Sequence, residues 1–370
     1  MSLRLATFNA ENLMNRFDFS GFRNELYQDR ALALYDIKDE VQYKALESAR
    51  AVAHTDDTRQ LSALAIAATR ADIVCLQEVD NLDALKAFEY GYLFKMIGSG
   101  YREKYLATGN DSRGIDVAVM TRPETADGQP IEFVRMTSHA HITFAEFGLH
   151  TAELAALGIE AHERIFRRDC LELDFRIGGR PLTLYAVHFK SMGSPRNGMN
   201  GRDATMPVRM AEASAVRRII EDRFGKDHAP NKNWVICGDL NDYRERIVIE
   251  GEANGGYRFT PATEAISCVD VLLDDGFAEN VVARLPEMER WTLYHTRGPQ
   301  ERHLCQLDYM LLSRRLAASN SRALPDIVRN GQPYRTIFPE GQDVPRYPRI
   351  GWDRPKASDH CPVAITLDIV

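Results

Sequence analysis

Short runs of apolar residues recur along the whole chain, and most of them have the spacing of β-strands. Some alternate with polar residues, as in Leu171-Glu-Leu-Asp-Phe-Arg-Ile177, which is typical of a strand buried on one face. Others, such as Ile73-Val-Cys-Leu76, are continuously apolar and fit a strand that is covered on both faces. The pattern predicts strands at residues 3–9, 72–77, 115–121, 131–137, 171–177, 182–188, 234–237, 307–312 and 363–369.

Helical patterns lie between these strands, and each begins at a residue type that favours a helix start. These starts are Asp56 or Asp57, Asn81, and Pro207, the last opening a longer helix that Gly225 is expected to end. Helices and strands alternate with no repeat and no linker between two halves, which predicts a single α/β domain over residues 1–370. The charged, helix-leaning residues near 18–55 are interpreted as a helical insertion after the first strand.

Composition excludes several classes of protein. Lys and Arg number 46 against 53 Asp and Glu, giving a formal net charge of −7, and 44% of residues are hydrophobic. This balance is typical of a globular protein and not of a disordered, fibrous or disulfide-rich chain. There is no apolar run of about 20 residues and no signal-peptide pattern at the start. We therefore expect a cytoplasmic protein without membrane insertion, and no obligate protein partner is evident.

Polar residues follow the predicted strands at several points along the chain. They occur at Asn9 and Glu11, at Glu78, at His188, at Asp239 and Asn241, at Asp308, and at Asp359 and His360. A single polar residue at a strand end is most often a turn former, but strand ends on one edge of a sheet converge. Converging carboxylates repel one another unless a cation binds. Because the donors are carboxylate and amide oxygens without cysteine, the pattern favours Mg²⁺ or Mn²⁺, with Glu78 as the best candidate ligand.

The motifs that contain these residues resemble the endonuclease/exonuclease/phosphatase superfamily, the relatives of deoxyribonuclease I and exonuclease III. The matching segments are Thr7-Phe-Asn-Ala-Glu-Asn12, Leu76-Gln-Glu78, His188-Phe-Lys-Ser191, Gly238-Asp-Leu-Asn241, Gln306-Leu-Asp-Tyr309 and Ser358-Asp-His-Cys-Pro362. Each motif alone is a weak pattern, but they occur in the family's order over nearly the whole chain. The resemblance implies a four-layer α/β sandwich, in which two packed mixed sheets are flanked by helices and the site lies at one rim.

The resemblance also implies roles for individual residues. Glu78, Asn9, Glu11 and Asp359 are expected at the metal site. His188, Asp239, Asn241, Asp308 and His360 are expected to be catalytic, with Asp308 orienting His360 and either Asp239 or His360 acting as general base. Arg168 and Lys190 are expected to contact the substrate phosphate. Asp116 is either an orienting partner of His188 or a solvent-facing strand residue.

The implied activity is metal-dependent hydrolysis of a phosphoester, with a nuclease acting on DNA or RNA as the favoured interpretation. A phosphatase or phosphodiesterase for a small molecule or a lipid headgroup is the alternative, and a non-catalytic binding module of the same fold is a second one. The Gly- and Asn-rich loop at 192–205, which contains Arg196 and Arg202, is either a surface loop or a lip that contacts substrate.

Overall fold

The computed structural model describes residues 1–13, 56–193, 198–298 and 300–370, so the insertion expected near 18–55 lies outside the described residues. The strands are β1 (Ser2–Leu13), β2 (Ile73–Val79), β3 (Glu103–Leu106), β4 (Asp116–Thr121), β5 (Ile131–Ser138), β6 (Cys170–Ile177), β7 (Arg180–His188), β8 (Trp234–Asp239), β9 (Glu245–Glu252), β10 (Gly256–Thr263), β11 (Ala278–Asn280), β12 (Leu293–Thr296), β13 (Arg302–Cys305), β14 (Asp308–Ser313), β15 (Asp326–Ile327) and β16 (Val363–Asp368). The helices are α1 (Asp56–Thr69), α2 (Leu82–Phe88), α3 (Phe94–Ile97), α4 (Phe144–Phe147), α5 (Ala152–Ala156), α6 (Gly201–Phe224), α7 (Cys268–Leu273) and α8 (Arg314–Ser319). A π-helical turn, Glu89–Leu93, joins α2 to α3.

Two six-stranded sheets form the centre of the molecule. Their strand orders are β15-β16-β1-β2-β4-β3 and β11-β14-β8-β7-β6-β5. In the first sheet β1 and β2 are parallel, and in the second β7 and β8 are parallel, while the neighbouring pairs are antiparallel. Both sheets are therefore mixed, with a parallel pair at the middle of each.

The inner faces of these sheets pack against each other. Apolar side chains of the first sheet, such as Leu5 and Ile73, share one buried cluster with Leu184 and Val235 of the second. Helix α1 covers the outer face of the first sheet, and α6 covers the outer face of the second. The four-layer α/β sandwich predicted from the sequence is confirmed.

Helix α6 begins earlier than the sequence predicts. Its N-cap is Asn200, which accepts a hydrogen bond from the Asp203 N–H at 2.9 Å, so the expected opening residue, Pro207, lies inside the helix. The cap succeeds because an asparagine oxygen satisfies a first-turn N–H that has no partner within the helix. Gly225 ends the helix as predicted, with φ +80°.

The earlier start of α6 also changes the role of Arg202, which was one candidate for a lip that contacts substrate. Arg202 is buried, and its Nε donates to Asp242 at 2.7 Å while its Nη2 donates to the Ile266 carbonyl at 2.6 Å. Those contacts make Arg202 a structural residue that joins α6 to the chain after β8.

A third, four-stranded sheet has the order β10-β9-β13-β12 and was missing from the sequence prediction. Most of β10 is exposed, so this strand has little apolar periodicity, and β12 and β13 are only four residues long. In the part of the chain that the structure describes, no helix is long and apolar enough to cross a membrane.

Candidate active site

The ends of strands from both large sheets meet at one rim of the sandwich. In the first sheet, Asn9 on β1 is level with Gln77 on β2. In the second, Asp239 at the end of β8 is level with His188 on β7 and with Asp308 on β14. Asn9 Nδ2 donates a hydrogen bond to Asp239 Oδ2 at 2.9 Å. This contact joins the two sheets, so the two sets of strand ends form one site.

The backbone at this rim adopts unusual conformations. Four non-glycine residues have left-handed φ values: Glu11 (48°), Asn12 (64°), Glu78 (64°) and Asn241 (48°). Such residues cost about 1–3 kcal/mol each and concentrate at functional sites. Gly238 has φ +146°, and a Cβ there would lie 1.9 Å from the Val187 carbonyl oxygen. Only glycine therefore allows β8 to approach β7 this closely just before Asp239.

Asp239 is the most densely hydrogen-bonded carboxylate of the site. Its Oδ1 accepts from the Asn241 N–H at 2.8 Å, and its Oδ2 accepts from Asn9 Nδ2 and from Asn241 Nδ2 at 3.1 Å. Burial raises the pKa of Asp239 to about 7; the positive charge of His360 opposes this, and the negative charge of Asp308 adds to it. The carboxyl group can thus exchange a proton near neutral pH.

His360 lies between two carboxylates. Its Nδ1 is 2.9 Å from Asp308 Oδ2, the contact that the sequence predicts, and its Nε2 is 3.8 Å from Asp239 Oδ2. Burial alone would lower the pKa of His360, but the negative charges of Asp308 and Asp239 raise it well above its usual range. The Asp308 N–H in turn donates to Thr292 Oγ1 at 3.2 Å. The ring is therefore fixed in both tautomer and orientation.

His188 is buried beside the same carboxylate, with Nε2 at 3.6 Å from Asp239 Oδ2. Burial and the positive charge of Arg168 lower the pKa of His188 well below its usual range, so the ring is neutral. Among the described residues, its Nδ1 has no hydrogen-bond partner. The expected orienting contact from Asp116 is therefore not formed. Asp116 is not solvent-facing either, because it is buried and accepts from the Gly109 N–H at 2.8 Å.

Glu78 and Asp359 are the carboxylates best suited to hold a metal ion. Glu78 Oε2 accepts from the Asn12 N–H at 2.9 Å. Burial raises the pKa of Glu78, and the negative charge of Asp359 raises it further, which shows that the two carboxylates repel each other. No group of three or more His, Cys, Asp or Glu side chains that could hold a metal occurs in the described ranges. This donor set fits Mg²⁺ or Mn²⁺, which bind through one or two carboxylates together with water and phosphate oxygens.

Glu11 was expected to be a further metal carboxylate, but its contacts favour another role. Its Oε1 accepts from Arg354, while Oε2 is 3.1 Å from Lys356 Nζ and accepts from the Asp359 N–H at 3.0 Å. Two cations already compensate this buried charge. Glu11 thus anchors the segment that carries Asp359 and His360.

Arg168 and Lys190 lie near His188, and both form contacts with other residues of the protein. Arg168 contacts Asp111 Oδ2 through Nε at 2.9 Å and donates to the Phe189 carbonyl through Nη1 at 2.8 Å. The Lys190 N–H donates to the fully buried Glu212 at 2.7 Å. Sequence reasoning missed Glu212 because it lies on α6, far along the chain from the strand end that it supports.

Arg113 is a second functional candidate that sequence reasoning missed. Its side chain forms two contacts of 3.0 Å with Asp111, the same carboxylate that binds Arg168. Two guanidinium groups thus place positive charge beside one carboxylate, Asp111. Both arginines lower the pKa of Glu78 and of His188, so this charge lies between the metal-binding and histidine sides of the site.

The sequence and the fold were compared with those of known proteins. The model of the Endonuclease/Exonuclease/phosphatase family matches residues 46–360. The chain belongs to this family. Members of the family are phosphoesterases. The carboxylates that could bind a hard cation and the buried Asp308–His360 pair at the strand ends are consistent with this activity. No curated protein sequence matches this family member.

The solved structures that this chain resembles have low sequence identity to it. An endonuclease/exonuclease/phosphatase family protein from Bacteroides thetaiotaomicron is 13% identical with a TM-score of 0.51, covering 99% of this chain and 95% of that one. The catalytic domain of human Nocturnin is 12% identical with a TM-score of 0.49, covering 100% of this chain and 95% of that one. TDP2 from Caenorhabditis elegans is 11% identical with a TM-score of 0.49, covering 99% and 75%. The Bacteroides protein supports the fold, and its identity is too low to indicate a substrate.

Proposed function

We propose that this family member hydrolyses phosphodiester bonds with the help of a divalent metal ion, and that its substrate is a nucleic acid. The observation that carries the proposal is the 2.9 Å contact between Asp308 and His360 beside Asp239. A buried histidine that is oriented by one carboxylate and faces another is a device for moving a proton. The pair formed by Glu78 and Asp359 supplies the charge that a metal ion would need.

The substrate phosphate would be held by groups on both sides of Asp239. A Mg²⁺ or Mn²⁺ ion bound by Glu78 and Asp359 would neutralise charge that develops on the scissile phosphate. The neutral ring of His188 would donate one hydrogen bond to a non-bridging oxygen. Asn241 would donate another by exchanging one of its two Nδ2 contacts, to the Phe189 carbonyl or to Asp239 Oδ2, each 3.1 Å long. Arg113 adds a fixed positive charge near the same oxygens.

Asp239 and His360 together accept the proton of the attacking water. Asp308 orients His360, and Asn9 fixes the Asp239 carboxylate through its 2.9 Å hydrogen bond. Because these two groups interact strongly, they act as one proton-accepting pair. Water attacks in line, and no covalent enzyme intermediate is needed.

Nucleic acid is favoured as substrate because Arg113, Arg168 and Lys190 concentrate positive charge on one side of the site, although the chain carries a formal net charge of −7. A local cleft can attract phosphates on an acidic protein. The second candidate is a phosphodiesterase or phosphatase for a small molecule or lipid headgroup, which the same net charge favours. A non-catalytic binding module is disfavoured, since the carboxylates and both histidines of the site are present.

The test is nicking of supercoiled plasmid in Mg²⁺ or Mn²⁺ and in EDTA, by the wild type and by Asp239→Asn. Asp83→Asn is the matched control, because the Asp83 side chain is 94% exposed. We expect metal-dependent nicking by the wild type and the control, and a loss of about 100-fold or more in Asp239→Asn. If the wild type cleaves no nucleic acid, whether plasmid or single-stranded DNA or RNA, but hydrolyses bis(p-nitrophenyl) phosphate, the second candidate is correct. If it does neither, the proposal fails.

A further inference from the structure

An open groove of about 1290 Å³ lies between the small four-stranded sheet and the chain segment at 334–346. Five aromatic side chains line it: Tyr257, Tyr294, Tyr334, Phe338 and Trp352. We call this the aromatic groove. Its floor is formed by β10, β12 and β13, and Trp352 stands at one wall.

Two segments of the chain run from the aromatic groove to residues of the active site. On β12, Tyr294 lines the groove, while the preceding residue, Leu293, pairs with His360 through an isolated backbone bridge. On the other wall, Trp352 is followed by Arg354, which donates to the buried carboxylate of Glu11. The aromatic groove therefore lies near the active site, at a distance that a polymer extending from a phosphate bound there would span.

Two of these rings are largely exposed, which is unusual for such large apolar groups. Trp352 is 73% exposed and Tyr334 is 56% exposed. Their backbones are held side by side, because the Tyr334 N–H donates to the Gly351 carbonyl at 3.0 Å and the Arg335 N–H to the Trp352 carbonyl at 2.8 Å. The rings are thus presented from a fixed backbone, which lowers the entropic cost of binding a ligand.

Arginines accompany the rings, but acidic groups compensate most of their charge. Arg346 lies over Phe338 at 4.1 Å and is paired with Asp343 at 2.6 Å. Arg335 is paired with Asp353 at 2.9 Å. Phosphate attraction alone is therefore a weak source of affinity in this groove. Planar rings that stack on the exposed aromatics are the chemistry that it fits.

We propose that the aromatic groove binds the unpaired bases of a single-stranded nucleic acid next to the phosphodiester that is cleaved, with Trp352 and Tyr334 as stacking platforms. The proposal rests on the proposed function, since a ligand with both a phosphodiester and flanking planar rings is a nucleic acid. A duplex would not fit this chemistry, because its bases are already stacked on each other. Contacts to bases in place of phosphates also explain how an acidic protein could hold such a substrate.

The test is fluorescence anisotropy of a labelled oligodeoxythymidine in EDTA, where no metal-dependent turnover occurs. The same titration uses an abasic oligomer of equal length and charge. We expect Trp352→Ala to weaken binding of the oligothymidine about tenfold, as the loss of one stacked base does. Trp352→Phe, which keeps a stacking ring, should restore most of the affinity. Tyr90→Ala is the control, because Tyr90 is 68% exposed and lies on the π-helical turn, outside the groove.

Equal binding of the oligothymidine by the wild type and Trp352→Ala, or equal binding of the abasic oligomer, would overturn the groove proposal. So would tighter binding of a duplex or of a proline-rich peptide. Hydrolysis of bis(p-nitrophenyl) phosphate by the same preparation distinguishes the two proposals. If the protein hydrolyses this substrate but binds the oligothymidine equally well without Trp352, the proposed function stands and the groove proposal fails. If binding depends on Trp352 but there is no hydrolysis, the groove proposal stands and the proposed function fails.

Discussion

The side chain of Asp308 contacts the ring of His360. Its Oδ2 is 2.9 Å from His360 Nδ1, and its backbone N–H is held by Thr292. The carboxylate is fully buried, so it has no direct route to a substrate phosphate. Asp308 is accordingly a positioning residue whose negative charge fixes the His360 tautomer and favours its protonated form.

Replacing Asp308 by Asn keeps the size of the side chain and removes its charge. We expect kcat to fall about 100- to 10,000-fold, because the ring loses both its preferred tautomer and its stabilised cation. KM should change little, since Asp308 does not touch the substrate. Steady-state hydrolysis of bis(p-nitrophenyl) phosphate measures both values, with Asp83→Asn as control and thermal melting to verify folding. A kcat within twofold of the wild type would contradict the role of Asp308.

The sequence predicted many residues of the site because they end strands, where a polar residue interrupts a regular apolar pattern. Asn9, Glu78 and Asp239 were found in this way. Arg113 was not, because it lies in an irregular loop before β4, and its link to the site depends on Asp111 and Arg168. Contacts between residues so far apart in the sequence are set by tertiary packing and leave no local pattern.

At the scale of elements, all the strands predicted from the sequence are present in the two large sheets, within about four residues of the expected bounds. Their side chains must alternate or remain apolar to pack, so the signal is in the sequence. The signal is weaker in the small sheet, because β10 is mostly exposed and β12 and β13 have only four residues each. The predicted start of α6 was wrong. Proline is usually found in the first turn of a helix, but here the helix begins at the Asn200 cap and Pro207 lies inside it.

The hairpin of β12 and β13 makes the stability of the protein depend on pH. His303 on β13 is buried and stacks on His295 at 4.6 Å. Burial lowers the pKa of His303 to about 3, well below the usual value of about 6.5 in an unfolded chain. The unfolded state therefore binds an extra proton below about pH 6.5, and stability falls as the pH drops from there towards 3.

We expect the His303 contribution to the free energy of unfolding to decrease by about 2 kcal/mol between pH 7 and pH 5. His303→Gln removes the titrating group, so this variant should lose that much less stability than the wild type over the same interval. Urea denaturation at both pH values measures the difference. His162→Gln serves as control, because His162 is exposed and should behave as the wild type does. Identical pH dependence in His303→Gln and the wild type would refute the assignment.

At the scale of the whole molecule, the net charge of −7 says little about the site. Charges of both signs are concentrated at the site: Arg113, Arg168 and Lys190 lie near His188, and buried carboxylates such as Asp239 and Asp308 lie beside them. The family fold explains this arrangement, because two sheets packed face to face bring the ends of distant strands to one rim. Charge placement, rather than total charge, thus governs which substrate the rim can accept.

The most direct test of the central claim is the Mg²⁺ dependence of bis(p-nitrophenyl) phosphate hydrolysis by the wild type and by Glu78→Gln. Glu103→Gln, which alters an exposed carboxylate on β3, is the control. We expect EDTA to abolish wild-type activity and Mg²⁺ to restore it. Glu78→Gln should need at least about tenfold more Mg²⁺ or remain inactive, because a neutral amide replaces a charged ligand. Activity that survives EDTA, or a Glu78→Gln variant with the wild-type response to Mg²⁺, would contradict a metal-dependent centre at Glu78.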